Sequence, residues 1–268
     1  MISDITIIIL LYKTPLRLIK NFEVFKKFKV IVLDQSNDKN FKKKLTKILP
    51  NIENYSITNQ NNGYARGINT LVKKVKTKYF FCTQADVNIN KSSILELKKT
   101  IIRHKKNAII AIPLINKKKS NKIVKEIEVK NMIGATFFCE KKKFKKIGMF
   151  DEDFFFYWED IDLSRRIQKS NFKIYETQKS KAVHQNGNSS LNGYRTDFIR
   201  NKNFIFGELL YDYKGEKIKT IKILRKFIQN IFLLILNVVL LKFRNSNINL
   251  AKILGIIKFI IFIFKKYL

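Results

Sequence analysis

Ile5–Leu11 (ITIIILL) is an almost unbroken apolar run. It is too short to cross a membrane and shows no polar alternation, the signature of a strand covered on both faces of a sheet. Val30–Leu33 (VIVL), Tyr55–Thr58 and Tyr79–Thr83 (YFFCT) read as three further strands. Between them, Thr14-Pro15 opens a helix, since proline is tolerated in a first turn. Tyr64–Val75 forms another after Asn61-Asn62-Gly63, and Ser92–His104 carries Ile94, Leu95, Leu97, Ile101 and Ile102 along one side. Strands alternating with helices predict right-handed crossovers and a doubly wound α/β sheet. Ligands of such sheets sit beyond the carboxyl ends of the strands. Two of the four strands end in polar segments that contain aspartate, Asp34-Gln35-Ser36-Asn37-Asp38 and Gln84-Ala85-Asp86-Val87-Asn88.

With 268 residues, 46% of them hydrophobic, the chain can bury a large core. Its formal charge of +33 raises the question of a nucleic-acid partner. Nine of the 54 basic residues are arginine, leaving 54 − 9 = 45 lysines. Nucleic-acid readers favour arginine for bidentate contacts and stacking. Here lysine is spread along the chain, and the one dense aromatic segment is acidic, so nucleic acid is not the expected partner. Two readings of the charge remain compatible: compositional drift on solvated faces, and attraction to anionic headgroups or phosphorylated substrates. Cys82 and Cys139 are too few for a disulfide framework and suit a reducing compartment. Met1-Ile2-Ser3-Asp4 lacks the basic start of a secretory leader.

From about Ile218 the composition changes. Phe227–Leu241 and Leu250–Phe264 are strongly apolar but interrupted by Gln229, Asn230, Asn237, Lys252 and Lys258. Neither holds the roughly 18 uninterrupted apolar residues of a spanning helix. Two expectations stand for them, helices lying in a membrane interface with lysines reaching the headgroups, or helices packed as ordinary core; the first is favoured by the lysine-rich flanks.

The densest chemistry lies between Gly134 and Ser190. Asp151, Glu152, Asp153, Glu159, Asp160 and Asp162 put six acids into twelve positions of a chain with 21 in all. They interleave with Phe154-Phe155-Phe156-Tyr157-Trp158, and carboxylates beside aromatic walls tend to gain proton affinity, which suits a general acid or base. Asp162 has a structural explanation, because Arg165 and Arg166 follow at i+3 and i+4. That explanation serves Glu159 and Asp160 less well.

The run FDEDFFFYWEDIDLSRRI, with GATFFCEKKKFKKIG upstream and HQNGNSS downstream, resembles family-two glycosyltransferases of the GT-A fold, and most of all their bacterial rhamnosyltransferase-like branch. NNGYARGIN (61–69) is similar to that family's Asn-Gly-aromatic-x-x-Gly-x-Asn segment, which ends at Asn69. The likeness spans about residues 4 to 210. It implies a Rossmann-like, mostly parallel α/β domain over 1–215, to which the change of composition adds a helical, membrane-associating pair of apolar helices over 216–268. It also implies an inverting transfer from a nucleotide-diphosphate sugar, with dTDP- or UDP-sugars foremost and rhamnose or a similar hexose as the sugar. By the same resemblance Asp34 and Ser36 would bind the nucleoside, in a loop about one residue shorter than usual. Asn62, Gly63 and Arg66 would shape the nucleotide pocket. Asp86 stands where the family carries a metal-binding Asp-x-Asp, of which only the last carboxylate is kept. It would hold Mg2+ or Mn2+ with the diphosphate oxygens, with His184 near the same ion. Asp160 would be the catalytic base with Glu159 beside it, and Arg195 or Arg200 would contact a diphosphate. The expected acceptor is a lipid-linked saccharide or polysaccharide of the cell surface, and the expected location the cytoplasmic face of an anionic membrane. The alternative is a non-catalytic relative of the same fold that binds nucleic acid or membrane through its charge.

Overall fold

The computed structural model describes residues 2–116, 126–185 and 193–267. Its elements divide into two compact units, Met1–Asp151 with Asp160–Leu191, and Glu152–Glu159 with Asn192–Leu268. The compositional change near residue 218 lies inside the second unit rather than at its start.

In the first unit β1 (Ile5–Leu11) leads through a 3-10 helix (Leu16–Phe25) to β2 (Lys29–Asp34), α1 (Lys39–Ile48), β3 (Ile52–Ile57), α2 (Tyr64–Lys74) and β4 (Tyr79–Thr83). Then come β5 (Val87–Ile89), α3 (Lys91–Arg103), β6 (Ala108–Ile115), β7 (Glu126–Val129), β8 (Thr136–Glu140), α4 (Lys141–Lys146), α5 (Glu159–Gln168) and β9 (Lys173–His184). The strands form one sheet in the order β3-β2-β1-β4-β8-β6-β9-β5, with β7 added along β9. From β3 to β4 every pairing is parallel. β8 runs antiparallel to both β4 and β6 and closes the parallel half. The four strands read from the sequence are present, with β3 beginning at Ile52 rather than Tyr55 and partly exposed, while all of β4 and all but one residue of β1 are buried. Ile5, Ile7, Ile9, Val30, Val32 and Phe81 lie in one core with Phe22, Phe25 and Phe41 from the helical layer.

Helix starts follow local chemistry. Asp38 accepts the Phe41 N–H at 2.8 Å and Asn90 accepts the Ser93 N–H at 2.7 Å, each satisfying a donor orphaned in a first turn. Pro15 precedes the 3-10 helix in extended conformation, in keeping with the expected helix start.

The second unit holds α6 (Tyr194–Lys214), α7 (Thr220–Val239) and α8 (Phe243–Tyr267). Its core joins Phe154 to Ile205, Phe206, Leu209, Leu210, Ile256 and Phe259. α6 and α8 approach closely because residue 255 is glycine: a Cβ there would collide with Ile205 and with the Lys202 carbonyl. α6 was not legible as a helix, since its apolar residues follow no clean helical period. α8 is long and apolar enough over Phe243–Lys266 to cross a membrane by composition, whereas the uninterrupted-run criterion gave no span. Ala251, Gly255, Ile256 and Phe259 of that helix are buried.

Candidate active site

The carboxyl ends of β1 and β2 open onto a cavity of about 560 Å3 lined by Lys13, Thr14, Pro15, Leu16, Arg17, Ser36 and Asp38. Asp34, the last residue of β2, is only 1% exposed. Its Oδ1 accepts the Ser36 N–H (2.8 Å) and Ser36 Oγ–H (2.6 Å), and its Oδ2 accepts the Asp38 N–H (3.2 Å) and Tyr55 O–H (3.2 Å). A carboxylate has about four acceptor positions, so Asp34 is fully used in folding the loop that presents Ser36. The same contact raises the Tyr55 phenol, through burial first and then the Asp34 charge.

The adjacent residue, Gln35, carries no motif and was missed by sequence reasoning. Its Oε1 accepts the Asn62 N–H at 2.6 Å and its Nε2 donates to the Gly63 carbonyl at 3.1 Å. One buried amide thereby fixes the 61–63 loop against the end of β2. Gly63 has φ +85°, in the left-handed region that side chains rarely adopt. Gly67 is a packing residue, because a Cβ there would come within 2.8 Å of both Leu10 methyls. Arg66 is exposed on the first turn of α2. Asn69, two turns in, clamps the Phe150 backbone: Nδ2 donates to its carbonyl (2.8 Å) and Oδ1 accepts its N–H (3.1 Å). In the sequence Asn69 closes the family-like 61–69 segment, but nothing there names Phe150 as its partner.

Gly134 joins three separate sequence motifs. Its N–H donates to Asp160 Oδ2 at 2.9 Å. Its carbonyl accepts the Tyr64 hydroxyl of the 61–69 segment. The next carbonyl, of Ala135, accepts the Gln84 N–H at 3.1 Å and so holds the loop that carries Asp86. A Cβ on residue 134 would lie 3.3 Å from both Asp160 Cβ and Oδ2, so glycine lets the carboxylate seat on the backbone.

Asp160 stands in the first turn of α5 and is half-buried. Burial pushes its carboxyl up, against the opposing pull of the Gly134 and Ile161 N–H groups; the Ile161 N–H reaches Oδ1 at 2.9 Å. Desolvation penalises the charged form more than two backbone donors favour it. Asp162 fulfils its structural expectation. It takes Arg165 at 2.6 Å and Arg166 at 2.8 Å, and Arg166 also donates to the carbonyls of Ile147 (2.7 Å) and Met149 (2.8 Å). The aspartate therefore secures the turn before Phe150.

Asp86 is 1% exposed and lies in the bend between β4 and β5. β5 pairs with β9 so that Val87 faces His184 in register, which brings His184 Nε2 to 3.5 Å from Asp86 Oδ2. Asn116 holds the His184 backbone on both sides, accepting its N–H at 2.9 Å and donating to its carbonyl at 2.8 Å. Two residues 98 positions apart thus converge. Among the described residues no third His, Cys, Asp or Glu joins them as a metal cluster. A buried carboxylate beside one imidazole suits a hard cation only when phosphate oxygens complete its shell. Residues 186–190 of the polar loop after His184 lie outside the described residues.

In the second unit, Glu159 is 5% exposed. The residues just before it are strained: Tyr157 and Trp158 have φ +70° and +72°, costly for bulky side chains. Trp158 packs on Phe204 and Tyr211, and Gly207 gives its indole room. Arg200 lies near enough to Tyr157 to oppose the upward push of burial on that phenol. Arg195 is exposed near the start of α6.

The sheet order and the site beyond its strand ends define a GT-A glycosyltransferase fold. Solved structures share it. Over 68% of this chain and 43% of the other, GalNAc-T7 with UDP, GalNAc and Mn2+ superposes with a TM-score of 0.59 at 14% identity. The Pyrobaculum calidifontis mannosyltransferase PcManGT with GDP-Man and Mn2+ matches 81% and 65% at 0.59 and 12%. S. aureus TarS 1-349 matches 93% and 90% at 0.56 and 12%. The chain thus spans less than half of the first of these. A search of the curated proteins finds no match. The model of glycosyl transferase family 2 matches residues 6–164, more than half of the sequence, and the chain belongs to that family.

Proposed function

We propose that the protein moves a sugar from a nucleoside-diphosphate donor to an acceptor hydroxyl with inversion, and that Asp160 is the base. The supporting observation is the Gly134 junction, where one backbone segment seats the Asp160 carboxylate and braces both the 61–69 segment and the Asp86 loop. In the transfer, the acceptor O–H proton passes to Asp160 as its oxygen bonds to the anomeric carbon. The bond from that carbon to the diphosphate oxygen breaks on the opposite face, and the leaving diphosphate keeps the electron pair. The raised proton affinity of Asp160 favours this role, because a base works best with a pKa near the operating pH.

The nucleoside would enter the cavity beside Ser36 and Thr14, with Asn62, Gly63 and Arg66 toward the phosphates. Asp86 and His184 would hold a divalent cation together with the diphosphate. When bound, such a cation neutralises the leaving group. Glu159, Arg195 and Arg200 are proposed as supporting charges, the arginines for a diphosphate. The finer reading is a dTDP- or UDP-sugar, rhamnose or a similar hexose, given to a lipid-linked saccharide of the cell surface by an enzyme resting on the cytoplasmic face of a membrane. It is supported by the motif resemblance and by the basic, apolar α7 and α8.

A thermal-shift screen of the full chain against dTDP, UDP, GDP and CMP, each with and without Mn2+, tests this. Stabilisation by one nucleoside diphosphate, larger with Mn2+, is expected; ligand at about 100 times its Kd adds about 2.7 kcal/mol. No shift with any of the four would overturn the donor site and favour a non-catalytic relative.

A further inference from the structure

α7 is apolar on its outward side as well as where Ile223 and Phe227 pack on the core of its unit. On the side facing its own unit, Lys222 pairs with Asp212 (2.5 Å) and Glu208 (3.2 Å), and Lys226 pairs with Glu208 at 3.1 Å. One turn on, Asn230 is only 6% exposed. The outward side, one helical stripe, is Leu224, Ile228, Phe232, Ile235 and Val239, between 50% and 71% exposed. A surface helix of a water-bathed protein turns charged and polar residues outward instead. The turn into α8 continues the apolar surface, with Leu240 and Leu241 50% and 71% exposed and Phe243 63% exposed. Large contiguous apolar patches of this kind mark a contact surface.

Charge identifies the occupant. From Lys217 to the last residue the sequence contains eleven lysines and arginines and no aspartate or glutamate. Lys217, Lys219 and Arg225 are exposed at the start of α7, and at its far end Lys242 is exposed beside Arg244, which pairs with Asp197 at 2.8 Å. An apolar stripe bracketed by cations matches the hydrocarbon boundary and headgroups of an anionic bilayer. Two copies of such a surface repel each other.

We infer that α7 and the α7–α8 turn dock in the plane of an anionic lipid leaflet, with Leu224, Ile228, Phe232, Ile235 and Val239 in the acyl boundary and the bracketing lysines and arginines at the headgroups. α8 keeps Ala251, Gly255, Ile256 and Phe259 on the protein side. This rests on the membrane-surface part of the proposed function and is independent of its chemistry.

The test is flotation of the full chain with phosphatidylcholine vesicles and with the same vesicles doped with phosphatidylglycerol. Expected is binding to the anionic vesicles, weakened by salt, and release from them at alkaline pH, as for a peripheral protein. Phe232→Asp with Ile235→Asp should lower binding about tenfold or more, since a carboxylate in hydrocarbon is costly. The control Ile127→Asp, at an exposed apolar position of the first unit, should bind as the unmodified chain does. Nucleotide-induced stabilisation, measured in parallel, should persist in the double variant, which separates failure of docking from failure of the donor site. As a second readout, Phe232→Trp emission should shift to the blue on anionic vesicles. Unchanged flotation of the double variant, retention at alkaline pH, or a dimer in lipid-free solution that the double variant abolishes would each overturn the inference.

Discussion

Replacing Asp160 by asparagine keeps the size of the side chain and removes its charge, and the two donors that hold it set the outcome. Oδ2 takes the Gly134 N–H and Oδ1 the Ile161 N–H. An amide has one oxygen, so one of these donors then faces an NH2 group, a loss of about 1–3 kcal/mol for a bond to a charged acceptor. Opposing this, the variant escapes the desolvation that raises the native carboxyl. A carboxyl raised by folding contributes stability in full below its unfolded pKa, near 3.9, and loses it as pH rises through the folded value. The stability of Asp160→Asn relative to the native chain should therefore improve from acid to mildly alkaline pH. Without a base, transfer should fall by roughly 10²–10⁴-fold, about 2.7–5.4 kcal/mol of barrier, while donor affinity stays nearly unchanged. In the native enzyme the rate should drop as pH falls below the raised pKa, because the protonated carboxyl accepts nothing. The assays are donor turnover against pH and thermal midpoints of both proteins across the same range. Activity within tenfold of native would refute the base assignment. A stability difference independent of pH would refute the desolvation argument.

Other outcomes follow from single contacts. Asn69→Ala leaves the Phe150 N–H and carbonyl without their clamp and should cost about 2–4 kcal/mol in urea unfolding; Asn69→Asp, which sets a buried carboxylate oxygen against the Phe150 carbonyl, should cost at least as much. Gly255→Ala forces α6 and α8 apart and should destabilise by about 1–3 kcal/mol, read as an earlier thermal transition with nucleotide binding retained. His184→Ala with Asp86→Asn should remove the Mn2+-dependent part of nucleotide stabilisation and leave the metal-free part. Gly134→Ala, whose Cβ would press on Asp160, should lower kcat by about tenfold or more with little change in donor KM, since small misplacement of a reacting group is expensive.

β1, β2 and β4 were legible because each is a short, nearly continuous apolar run, which burial on both faces demands, whereas the half-exposed β3 (IENYSI) was read only from Tyr55 onward. The Asp162 pairs were legible for a similar reason: i+3 and i+4 contacts are written in local spacing. Gln35 was not, and Asn69 was visible only as the end of the 61–69 segment, since their partners lie 27 and 81 residues away and a polar residue in a sequence does not name a distant backbone. The Asp86–His184 approach was expected from the family resemblance and not from local pattern, since it depends on the three-residue β5 pairing with β9. α7 was recognised as apolar and basic, but its orientation needed the ion pairs with α6. Apolar residues set a helix's face, and only contacts decide which way that face points.

The most direct measurement follows the anomeric proton by NMR while the full chain turns over the nucleotide sugar whose nucleoside diphosphate stabilises it, with a saccharide acceptor and Mn2+. Expected is one new glycoside whose anomeric configuration is opposite to that of the donor, formed as the diphosphate is released, and absent with Asp160→Asn. A product that keeps the donor configuration, or release of free sugar with no glycoside formed, would contradict an inverting transferase with Asp160 as its base.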